Sequence, residues 1–79
     1  MDWKKVVIQS GGKLFQAHNF TYIAKGTTFN IEVDVYHDGS CTAHGEQSTD
    51  KNLVIESVSG KSVEDCLSSI IAKINQRLV

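Results

Sequence analysis

The stretch Ser62-Val63-Glu64-Asp65-Cys66-Leu67-Ser68-Ser69-Ile70-Ile71-Ala72-Lys73-Ile74-Asn75-Gln76-Arg77-Leu78 decides the fold. Steps of three and four, from Val63 through Cys66, Leu67, Ile70, Ile71 and Ile74 to Leu78, set seven apolar side chains on one face of an α-helix. Ser62 is placed to cap its start, and Asp65 stands three residues on as a shortened capping-box partner. Glu64 and Asp65 lie at the positive end of the helix dipole, Lys73 and Arg77 near the negative end. Everything before Ser62 reads as strand and turn. The expected fold is therefore α+β: an antiparallel sheet of four or five strands with one C-terminal helix packed on one face.

Working back from the helix, the breakers are Gly60, the polar stretch 48–52, Asp38-Gly39, Gly26 and Gly11-Gly12; there is no proline. They leave Leu53–Val58, Cys41–Gln47, Thr27–Tyr36, Leu14–Lys25 and Trp3–Gln9 as expected strands, with Gly11-Gly12 as a hairpin turn. The sheet then spans 3–58 and the helix 62–78, in one domain. The 79 residues leave no room for a second core.

The central hairpin has a register that can be argued. Ile31, Val33 and Val35 alternate with Glu32, Asp34 and Tyr36. A three-residue loop His37-Asp38-Gly39, with Gly39 left-handed, sets Val35 against Cys41, Val33 against Ala43 and Ile31 against Gly45, all facing the core. Glu32 then opposes His44, and Asp34 opposes Thr42, on the outer face. A two-residue Asp38-Gly39 turn would bury His44 and Glu46 opposite Val33 and Ile31, which is costly. The longer loop is expected. The predicted core is Ile31, Val33, Val35, Ala43, Val63, Leu67, Ile70, Ile71 and Ile74.

Composition narrows function. Net charge is −1, so a nucleic-acid backbone is not the expected partner. Lys4, Lys5 and Lys13, with exposed aromatics, are the basis of an alternative RNA-binding reading. No apolar run reaches the ~18 residues of a membrane span, and none resembles a signal peptide; a cytoplasmic protein is expected. Cys41 and Cys66 both fall at core-facing positions and read as small buried hydrophobes.

His37, Cys41 and His44 form an H-x3-C-x2-H pattern, which underlies a second alternative, a metal-binding or enzymatic protein. The hairpin register turns Cys41 inward and His44 outward, so no metal site is expected from them. Cys66 has no activating base nearby, and Ser10-Gly11-Gly12-Lys13 lacks the spacing of a phosphate loop. No catalytic residue and no cofactor is predicted. The expected partner-binding face is the outer sheet surface of Glu32, Asp34, Tyr36, Thr42, His44 and Glu46, a tyrosine among carboxylates suited to a basic protein surface.

Residues 29–78 run strand, Asp38-Gly39 turn, strand with Ala43, strand, then Gly60-Lys61-Ser62-Val63-Glu64-Asp65 before a helix. This resembles the β-β-β-α modules of HicB-type antitoxins, whose outline is a strand, a D-G hairpin, an alanine-containing strand and G-x-S/T-x-E-E/D-A before a helix. Cys66 stands at the usual small residue, and residues 48–52 replace a proline-containing segment. The end of the chain is also similar to the C-terminal half of a double-stranded-RNA-binding domain. That family's phosphate-gripping lysines are here Ser62, Val63, Glu64 and Asp65, which would repel phosphate. The resemblance implies a non-enzymatic protein-binding module of bacterial or phage kind. Small size, the absence of a catalytic constellation and the acidic outer strand face, together with this outline, fit an antitoxin-like module or equally a phage-type inhibitor of a nucleic-acid-processing enzyme, such as an anti-CRISPR protein. Pairing through a free sheet edge would allow a homodimer.

Overall fold

The computed structural model describes residues 2–78, and the side chains of all of these except 51–54. Four antiparallel strands follow one another as a meander: β1 Phe15–Ala24, β2 Thr27–Tyr36, β3 Cys41–Gln47 and β4 Asp50–Gly60, in the order β1-β2-β3-β4. A single helix, α1 Val63–Arg77, packs on one face, mainly against β4, β3 and β2. The fold is the expected α+β arrangement, with four strands.

The β2–β3 hairpin has the argued register: Val35 opposes Cys41, Val33 opposes Ala43 and Ile31 opposes Gly45. Tyr36 N–H donates to Ser40 O at 2.8 Å, Gly39 N–H donates to Tyr36 O at 2.9 Å, and Gly39 has φ 93°. That φ is easy for glycine and costly for other residues, which is why the three-residue loop closes here. Asp38 Oδ1 accepts from Ser40 N–H at 2.9 Å and from its hydroxyl at 2.7 Å. These bonds favour the ionised carboxylate and hold Asp38 below its ordinary pKa.

Ser62 caps α1 as read from the sequence, its hydroxyl accepting from Asp65 N–H at 3.1 Å. The helix runs back antiparallel to β4 after a very short connection. Gly60 makes this approach workable: a Cβ there would lie 3.1 Å from both Asp65 Cβ and Cys66 Sγ. At the far end Tyr22 OH donates to Asn75 Oδ1 at 2.7 Å, and Lys25 Nζ donates to Leu78 O at 3.2 Å. Lys73 pairs with Glu56 of β4 at 3.4 Å. The core between helix and sheet consists of Phe29, Ile31, Val33, Val35, Cys41, Ala43, Ile55, Cys66, Ile70 and Ile74. Val63, Leu67 and Ile71 pack against it but are only partly buried, on the flanks of the stripe.

One expected strand is absent. Trp3–Lys5 is a single turn of 3-10 helix capped by the Asp2 carboxylate, and 6–14 carries no ladder pairing. Gly12 N–H donates to Gln9 O at 2.8 Å, so Gly11-Gly12 does form a turn, but not one joining two strands. The β-branched run Val6-Val7-Ile8 lacks a place against the sheet; Val7 is 94% exposed. Strand propensity expresses fit to a half-buried pleated surface, and without one it does not act. The segment is held instead at the β2–β3 loop. There His37 N–H donates to Leu14 O at 3.0 Å, and His37 Nε2 lies 2.9 Å from Val6 O. Trp3 packs at the margin of the core.

Candidate functional site

With α1 on one face, strand parity assigns the residues of the other. Glu32, Asp34 and Tyr36 alternate on β2 with the buried Ile31, Val33 and Val35. On β3 the outward set is Thr42, His44 and Glu46, and the ladder opposes Glu32 to His44 and Asp34 to Thr42. All six residues anticipated from the sequence therefore share the outer face.

β1 contributes a further row that the sequence reading did not assign. Its register sets Phe15 opposite Tyr36, Ala17 opposite Asp34 and Asn19 opposite Glu32, with Thr21 and Ile23 continuing the same face. The signal was available in Ala24-Lys25-Gly26-Thr27. A two-residue Lys25-Gly26 turn fixes the pairing of the whole hairpin. The Phe15 and Tyr36 rings lie 5.4 Å apart, tilted by 45°. Phe15 is 46% exposed and Ile23 66%. β1, β2 and β3 together bring Glu32, Asp34 and Glu46 to this face and no lysine or arginine.

Asp34 departs from the solvated position expected for it. It is only 7% exposed, and its Oδ1 has no hydrogen-bond partner among the described residues. β2 is an inner strand, so Asp34 is hemmed by Ala17 on one side and Thr42 on the other, with the Phe15–Tyr36 pair next along. Glu32, Asp34 and His44 each offer a donor atom, and these atoms all lie within 4.8 Å of one another. His44 Nε2 is 3.9 Å from Glu32 Oε2. The Glu32 carboxyl is held above its ordinary pKa, first by its hydrogen bond with Asp34, then by burial and the Asp34 charge; His44 opposes the rise.

The alternative trio His37, Cys41 and His44 does not converge. Cys41 is 2% exposed on the core side, His44 lies on the outer face, and His37 is engaged with Val6 in the loop. Cys66 is fully buried, and burial, then Cys41 and Asp65, push its thiol pKa up, the reverse of what a nucleophile needs. Lys4 and Lys5 sit in the N-terminal 3-10 turn, outside the strands that form the outer face. Lys13 borders a cleft of about 440 Å³ formed with Ile8, Leu14, Tyr36, His37 and Asp38. No helix among the described residues is long and apolar enough to cross a membrane. No family model, curated protein or solved structure matches this chain.

Proposed function

We propose that this chain is a non-enzymatic binding module whose outer sheet face receives another protein with a basic surface. The observation that supports this most is the makeup of that face. It carries carboxylates without lysine or arginine on β1–β3, beside an aromatic pair of exposed Phe15 and half-buried Tyr36, and the exposed Ile23. Aromatic and aliphatic side chains supply the burial that holds a complex, and surrounding charge of one sign speeds and orients encounter. An enzyme that grips a phosphate backbone presents the complementary basic surface. Inhibition of such an enzyme, as an antitoxin or a phage-encoded inhibitor performs it, is therefore the role that fits. The order β2-β3-β4-α1 also follows the HicB-like outline of residues 29–78. The same carboxylates would repel RNA, so the lysine-based alternative gains no support from this face.

Pull-down with mass spectrometry identifies the partner, and titration calorimetry then compares Tyr36→Ala and Ile23→Ala with the parent chain. Each is expected to weaken binding by roughly tenfold, about 1.4 kcal/mol, with folding unchanged by circular dichroism. Raised salt should slow association. Full affinity in both variants would remove the outer face as the docking surface.

A further inference from the structure

We propose that Glu32, Asp34 and His44 form a site for a divalent transition cation of the zinc type, with an open coordination position toward solvent. The site lies within the outer face but does not depend on a protein partner occupying it.

Two observations carry this independently. The first is convergence: two carboxylates and one imidazole, from adjacent strands, place their donor atoms within 4.8 Å of one another. The second is Asp34 itself. A carboxylate removed from water whose Oδ1 has no partner among the described residues is costly, because the lost hydration of that oxygen is not replaced. The Glu32 carboxyl beside it shares a hydrogen bond with Asp34 while it holds a proton and adds repulsion once ionised. β1–β3 supply no lysine or arginine on this face to offset that charge, and among the described residues His44 is the basic side chain that meets the pair. A bound cation would satisfy the Asp34 oxygen, neutralise both carboxylates and engage the histidine at once.

The donor set selects the metal. One imidazole with two carboxylates suits zinc and its neighbours, whereas magnesium and calcium prefer all-oxygen shells with several waters or carbonyls. Bonds of about 2.0–2.2 Å in a tetrahedron require donors roughly 3.3–3.6 Å apart. Closing from the present spacing would fall to the Glu32 and His44 side chains, which are 35% and 52% exposed, rather than to the buried Asp34. Three protein donors leave a fourth position, and the exposure of Glu32 and His44 directs it outward.

The test uses the whole, tag-free chain after chelator treatment. Zinc chloride titrated by calorimetry should bind saturably, a single ion per chain, and raise the melting temperature; magnesium chloride should do neither. Asp34→Asn and His44→Ala should each weaken zinc binding by more than about tenfold, the loss seen even for residues that only support a ligand. His37→Ala should leave it unchanged. Cobalt in place of zinc should show no thiolate charge-transfer band, which separates this site from Cys41 and Cys66. Absence of saturable binding, binding that survives His44→Ala, or a thiolate band would each overturn the proposal. His44 is exposed, so its variant remains informative if Asp34→Asn fails to fold. No partner protein enters the measurement, so its result is separate from that of the docking experiment.

Discussion

At the scale of single residues, Asp34 shows what a sequence pattern determines and what it leaves open. Alternation along Ile31–Val35 put Asp34 on the outer face, and there it is. Burial is a different quantity, since it depends on which strands flank the residue, and β1 had no assigned register in the sequence reading. Cys41 and Cys66 were legible for the opposite reason: both lie on the apolar face of their own element, and they are 2% and 0% exposed. The Glu32–Asp34 pair gives a prediction in pH. Folding raises the Glu32 pKa, so between its unfolded value of about 4.3 and its higher folded value the native state binds more protons than the unfolded chain. Stability must then fall as pH rises through that window. The groups that face Glu32 are Asp34 on its own strand and His44 on β3, with Glu46 next along β3. Melting curves with chelator present, from about pH 4 to 7, should show Glu32→Gln losing less stability with rising pH than the parent. Parallel curves for the two proteins would mean that Glu32 titrates alike in both states.

At the scale of elements, turns explain both the success and the miss. The hairpin 27–47 was legible to the residue because its loop could be decided by what each register would bury. Trp3–Gln9 was misread because propensity carries no information about whether a sheet edge accepts the segment. The β1–β2 connection is the element whose chemistry is least suited to its geometry. Lys25 has φ 51° and Gly26 φ 75°, so both central residues of a two-residue turn are left-handed. Asparagine-glycine is the preferred pair for that turn, and an ordinary side chain in this region costs about 1–2 kcal/mol. Lys25 keeps its place while donating to Leu78 O, an exposed bond worth less than that strain. Lys25→Asn is therefore expected to stabilise the protein by up to about 1 kcal/mol, a rise of about 4–8 °C in melting temperature for a domain of this size. A fall in melting temperature would show that the Lys25–Leu78 contact outweighs the strain.

At the scale of the whole molecule, one helix closes one face of one sheet, and the core has no second layer to fall back on. The helix stripe was the most legible feature of the sequence, yet its seven positions are not equal. Cys66, Ile70 and Ile74 are fully buried, whereas Val63, Leu67 and Ile71 lie on the flanks. A period of 3.6 spreads such a stripe across more than a quarter of the helix circumference, and one sheet face covers only its centre. The outcome of truncation should follow that division. Ile70→Ala removes a side chain with 0% exposure and should cost about 2–5 kcal/mol. Small domains hold about 5 kcal/mol in total, so this variant is expected to be largely unfolded. Leu67→Ala removes a half-buried side chain and should cost distinctly less, leaving a cooperative but weakened transition in urea. Each substitution also shortens the contact that ties β4, β3 and β2 into one unit, so the loss should be global, with strand and helix signals disappearing together. Equal, small shifts for both variants would mean that α1 is not docked through Ile70. The outer face would then not be the only one open to a partner.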